Sequence, residues 1–200
     1  SSDLETARKL LGKVLSSGFG FSVIAHGVMH LCTSLVFPAI LIAGLCGAML
    51  VTSQEVPVAR IGGWAFIGFL SVSVFYLASM IRNRNYHFWQ LPLFMLVTMG
   101  LSWHNSVAVM GGLSGRKSPF LRTPKLGGEK PAGVQSTVYR SASGWGWLME
   151  ISLAVLFGAA AFHGWTTGRT AFIVMHGMLA VGFALVGLAS SMEVFRRWRD

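Results

Sequence analysis

Charge is scarce in this chain: Asp, Glu, Lys and Arg make up 12% of its 200 residues, against about 25% in ordinary soluble domains. That shortage excludes a normal soluble globular protein. Acid is scarcest, with seven Asp and Glu against sixteen Lys and Arg. The seven are scattered, so no pair is spaced for general acid and base work, and no DxD pattern offers carboxylates to a divalent cation. Cysteine is nearly absent: Cys32 and Cys46 both sit in apolar stretches, which excludes a disulfide-stapled secreted scaffold. There is no internal repeat, and no opening run of basic, apolar and small residues of the kind that marks a signal peptide. The chain starts at Ser1 without Met, and a further portion is expected upstream of it.

What fills the space is hydrocarbon. Hydrophobic residues are 53% of the chain, with 14 Phe and 7 Trp, and the mean hydropathy is +0.59, far from the profile of a disordered chain. A hydrocarbon core of about 30 Å takes about 20 apolar residues to cross as a helix. Four stretches approach that length, at 31 to 52, 62 to 81, 147 to 165 and 170 to 192. Glu150 and Glu193 stand near their ends, where a carboxylate reaches the interface at modest cost. Ala154, Gly158, Ala180, Ala184 and Gly187 allow close helix approach. A fifth apolar segment, 88 to 110, carries Pro92, His104 and Asn105 and is ambiguous.

Charge location resolves that ambiguity, because cytoplasmic loops are enriched in Lys and Arg. If the fifth segment does not cross, fourteen of the sixteen Lys and Arg share one side and only Arg60 and Arg169 lie on the other. If it crosses, the best split is ten to six. Four crossings with both termini cytoplasmic follow, and a net charge of +9 becomes a topology signal rather than a nucleic-acid footprint. The expected fold class is therefore all-α and polytopic. Residues 1–30 form an amphipathic interface helix and lead-in, and 31–81 a transmembrane hairpin. Residues 82–113 form an interfacial or re-entrant helix, 114–146 a cytoplasmic loop, and 147–200 a second hairpin with a basic tail. In the first of these, Leu4, Ala7, Leu11 and Val14 recur at helical spacing, and Ser2 and Glu5 have the spacing of a capping box. The stretch from Ser114 to Gly146 is rich in Gly, Pro and Ser and has no helical period, as in a long loop.

Several constellations have plain alternatives. His26 and His30 are four apart, but Gly27 stands where a zinc hydrolase places its general-base Glu. His163 and His176 fall in the last two spans, where they could serve as axial ligands of a b-type haem or simply hydrogen-bond at the interface. Gly112–Gly115 spells GxSG, yet Arg116, Lys117 and a polar loop follow where an intramembrane serine protease needs an apolar helix. The Trp residues lie mostly at span ends, as an interfacial belt requires; Trp103, with His104 and Asn105 beside it, is a candidate for contact with a glycan in a translocation path.

The most specific segment is GLSGRKSPFLRTPKLG, residues 112 to 127. It resembles the loop of the form FxVTxK or FxRTPK that covers the active site in membrane-embedded family 2 glycosyltransferases of the cellulose synthase and mannan synthase type. Phe120, Thr123 and Lys125 match its fixed positions, and Arg122 agrees with many bacterial members. Thr6 to Leu11, TARKLL, is similar to the interface helix that follows the QxxRW motif of these enzymes. His30–Leu31 and Phe37–Pro38 are similar to the start of the next transmembrane helix. Gly12, where the family often has Pro, and Gly111 and Gly112, in a stretch that is usually more helical, depart from it.

The resemblance implies the membrane channel and gating-loop portion of a processive hexosyltransferase, not catalytically complete alone. Its nucleotide-sugar domain would precede Ser1, and the Mg2+ or Mn2+ that the family uses would be bound by ligands outside this chain. The implied partners are a nucleotide-sugar donor, the growing polysaccharide, that upstream domain and the bilayer. Lys125 would supply positive charge to the nucleotide diphosphate, Thr123 would donate to phosphate, and Phe120 would cover the donor or acceptor site. The implied location is the bacterial inner membrane. The alternatives from the residues alone are a haem b-binding electron-transfer subunit and a noncatalytic membrane partner subunit.

Overall fold

The computed structural model describes residues 2–53, 58–84, 87–114 and 146–199, and every regular element among them is helical. In chain order these are α1 (Ser2–Leu15), α2 (Phe21–Cys32), α3 (Val36–Thr52), α4 (Val58–Arg82), α5 (Gln90–Gly100), α6 (Ser102–Leu113), α7 (Gly146–Thr166) and α8 (Ile173–Arg199). Short 3-10 turns, Thr33–Leu35 and Thr170–Phe172, lead into α3 and α8. Three helical stretches are long and apolar enough to cross a membrane: Phe21–Thr52, Gly146–Thr166 and Ile173–Arg196. The α5–α6 pair, bent by 50°, makes a fourth if it counts as one span. The expected span at 62 to 81 falls inside α4, whose described apolar part is Leu70–Arg82.

The last two helices form the centre. On α7 the buried residues are Glu150, Leu153, Phe157, Ala160 and Gly164, alternating three and four apart, so one stripe of the helix faces inward. Phe172 of the turn before α8, with His176, Leu179, Phe183 and Gly187 on α8, continues the facing stripe. Phe157 and Phe183 stack with centroids 5.8 Å apart, and Leu41 of α3 completes this core. Hydrocarbon tails solvate apolar side chains as well as a neighbouring helix does, so association depends on fit and on small residues at the contacts. Gly44 of α3 lies against Leu179 and Phe157, and Gly47 against His176 and Met175. Gly100 of α5 meets the backbone of Gly182 on α8, and Gly182 in turn meets the Leu96 carbonyl. Side chains that would face lipid, among them Phe75, Phe162, Val155 and Met192, are exposed.

The hairpin turn between α7 and α8 is a Schellman motif. Gly168 adopts φ +70, a left-handed conformation that glycine takes without a Cβ penalty. The Arg169 amide donates to the Gly164 carbonyl at 2.7 Å, and the Gly168 amide to Trp165 at 3.3 Å, which satisfies orphan carbonyls of the helix end. The Arg169 guanidinium then reaches across to α3 and donates to the carbonyls of Val51 (3.1 Å) and Ser53. A cation placed there also complements the negative end of the α3 dipole.

The N-terminal helix is held within the fold. Ala7 is buried, Leu11 and Val14 are half-buried, and α1 packs on α2 and α6, with Val14 against Gly27. The apolar stripe expected to lie along the membrane surface is largely spent on these protein contacts, leaving Leu10 and Leu15 exposed. The capping pair Ser2 and Glu5 lies outside the described side chains.

Candidate functional site

Phe120, Arg122, Thr123 and Lys125 lie outside the described residues. The described flanks of their segment are the end of α6, where the Ser114 hydroxyl donates back to Met110 at 2.7 Å, and the start of α7 at Gly146. The second candidate group, Trp103, His104 and Asn105, sits in the first turn of α6, just past the break at Leu101. Pro92 does not make that break: it stands in the first turn of α5, where proline is tolerated. Hydroxyls line the bend instead, Ser102 donating to Met99 and Ser106 to Ser102, each at 2.6 Å. Such back-bonding bends helices.

Three consecutive helical residues are separated by about 100° each and point apart, and these three do. Trp103 packs against the Leu41, Leu153, Phe157, Leu179 and Phe183 core, a packing role. Asn105 is half-buried. His104 turns toward α7, where its Nδ1 lies 2.9 Å from Glu150 Oε1; its side chain keeps 38% exposure while Glu150 has none. The Ser190 hydroxyl of α8 approaches the same carboxylate. Neither carboxylate oxygen nor His104 Nδ1 makes an aligned hydrogen bond, so the contact is one of charge and proximity. A carboxylate wholly buried without its full set of donors is costly and marks a place where something besides packing is at stake. Glu150 was visible in the sequence as a charge near a span end, but nothing local links it to His104.

The two histidines offered for haem have unlike surroundings. His163 is exposed. His176 is fully buried, its ring 6.0 Å from that of Phe157 and 5.8 Å from that of Phe172. Its Nε2 is 3.3 Å from the Gly44 carbonyl, and a Cβ built on Gly47 would come within 3.0 Å of the same atom. A ring enclosed in this way leaves no room for a metal and a macrocycle at that nitrogen, so these residues do not fit haem. Among the described residues no group of three or more His, Cys, Asp and Glu could hold a metal ion; His26 and His30 are both exposed on α2.

A cleft of about 430 Å3 opens between α3, α4, α5 and α8. Of its lining side chains, which include Ile40, Val72, Tyr76, Phe94, Thr98 and Met175, only Tyr76 and Thr98 bring polar atoms. A sugar chain passing there would leave most of its hydroxyls without partners, so this cleft suits hydrocarbon rather than glycan. Comparison with family models, curated proteins and solved structures finds no match to the chain.

Proposed function

We propose that this chain is the membrane channel and gating-loop portion of a processive family 2 glycosyltransferase, which polymerises sugars from a nucleotide-sugar donor and passes the polymer across the membrane. The observation that carries the reading is the run Phe120, Leu121, Arg122, Thr123, Pro124, Lys125, set in a segment with six Lys and Arg between α6 and α7. An all-helical membrane-type fold, with a bent helix pair before that segment and a tight helical hairpin after it, supports the same order of parts. In this reading α4 is the second of four crossings, the α5–α6 pair stays on the cytoplasmic side or re-enters from it, and both termini are cytoplasmic in a bacterial inner membrane.

The chemistry asked of the segment is electrostatic. A nucleoside diphosphate leaving group needs positive charge and donors held where water is scarce, and Lys125 with Thr123 supplies them. Glycines 115, 127 and 128 give the backbone the freedom to close over the donor and reopen for product release. The divalent cation and the general base belong to the domain upstream. The test is Lys125→Ala in the full-length polypeptide in its native membrane: turnover falls by about 100-fold, the scale of one lost electrostatic contact to the developing charge, while abundance and insertion hold. Undiminished polymer synthesis sinks the reading. The runner-up is a noncatalytic partner subunit, which shares the fold and would be favoured by that outcome.

A further inference from the structure

The described part of α6 packs along α3 and against α1, and α5 packs along α8, whereas α6 does not run along α7. Yet α6 and α7 are the two helices that flank the segment 115–145. A polar contact joins them directly, His104 to Glu150 at 2.9 Å. It has the composition of a breakable link rather than a permanent one. One partner, Glu150, is wholly buried on a rigid helix, and the other, His104, is partly exposed on a short one. Hydrogen bonds do not lock the pair, and beside it Trp103 seats the same end of α6 on the core that Leu153 and Phe157 of α7 help to form.

We infer that the contact of His104 with Glu150 is a latch between α6 and α7, which sets the spacing of the two ends, Ser114 and Gly146, of the intervening segment. The inference does not depend on the glycosyltransferase reading. Its physical basis is that a buried carboxylate is tolerated chiefly while a polar partner faces it. Removal of either partner breaks the contact, and the two helix ends are then free to separate. The groups facing Glu150 are His104 from α6 and Ser190 from α8. The next acid on α8, Glu193, is exposed, and α3 bears no charged side chain. The latch is therefore assigned to one imidazole and one carboxyl.

The experiment measures the distance between spin labels on Ser114→Cys and Leu148→Cys, both exposed positions, in the full chain in nanodiscs with Cys32 and Cys46 replaced by Ala. The latch predicts a narrow distribution in the parent. Glu150→Gln and His104→Gln should each broaden it or shift it outward by roughly the same amount, and the double variant should go no further, because coupled partners are non-additive. His104→Gln changes a partly exposed residue and tests the latch even if the buried site tolerates no change at Glu150. Distributions unchanged in both single variants, or effects that add in the double variant, overturn the latch. Because the readout is a distance, neither result bears on the Lys125 test.

Discussion

At the scale of single residues, cost and purpose separate cleanly between two polar side chains that reach across helices. Arg169 spans from the α7–α8 turn to the end of α3 and finds carbonyls that helix geometry leaves without donors. Its role is to close the far end of the bundle. Arg169→Gln is expected to cost about 1–2 kcal/mol, read as a lower midpoint in thermal unfolding in detergent, with Arg169→Lys recovering only part, since one ammonium cannot serve several carbonyls as a planar guanidinium does. An unchanged midpoint in Arg169→Gln would remove it from the account of stability. Glu150 is the opposite case, a charge placed where desolvation works against it. The sequence marked His104 as interesting and Glu150 as a charge near a helix end, but the pairing was hidden, because their meeting is set by the packing of α6 and α7 and by no spacing along the chain. His176 was legible as lying in the last span, but its burial was not; the phenylalanines that enclose it and argue against haem come from α7 and from the 3-10 turn before α8, a tertiary fact.

Elements come together here through glycine as much as through large apolar side chains. The contact of α5 with α8 is backbone to backbone at Gly100 and Gly182, where any Cβ would meet carbonyl or amide atoms. Gly182→Leu is therefore expected to push α5 away from α8 and cost about 3 kcal/mol, the upper range for overpacking, seen as loss of the folded peak in size-exclusion chromatography on mild heating. Gly177→Leu, on the same helix with open space around it, is the control and should behave as the parent. Equal behaviour of the two variants would show that α5 is not packed on α8. The long apolar helices α7 and α8 could be read from hydropathy alone, because length and the absence of charge are one-dimensional signals. The break at Leu101 could not. Pro92 was one of the residues that made the segment ambiguous, yet its place in the first turn of α5 makes it harmless, and the bend comes with hydroxyl back-bonding and a close approach to Gly182. The start of α2 at Phe21, ahead of the expected start of the first span, follows from Ser16, Ser17, Gly18 and Gly20, which end α1 and let a new helix begin.

For the whole molecule, the decisive question is which ends of the helices share a side of the membrane. Helix Phe21–Thr52 runs about 48 Å at 1.5 Å per residue, longer than the hydrocarbon core of about 30 Å, so it tilts or begins outside it. Its far end is held by Arg169 to the α7–α8 turn, which puts residues 51–53 and 168–170 at the same level. Ser114 and Gly146 then belong to the other end of α7, together with Trp147, whose ring sits 6.0 Å from that of Phe195. In the proposed topology that second end is the cytoplasmic one, the side that a bias of Lys and Arg favours, since Arg116, Lys117, Arg122, Lys125, Lys130 and Arg140 all fall between Ser114 and Gly146. A single cysteine at Lys125, in a background with Cys32 and Cys46 replaced, is expected to resist an impermeant thiol reagent in intact cells and to react after the membrane is opened. One at Glu55 is expected to react in intact cells. Labelling of Lys125→Cys from outside, with Glu55→Cys protected, would invert the topology and place the Phe120–Lys125 run away from cytoplasmic nucleotide, and the proposed chemistry would lose its substrate.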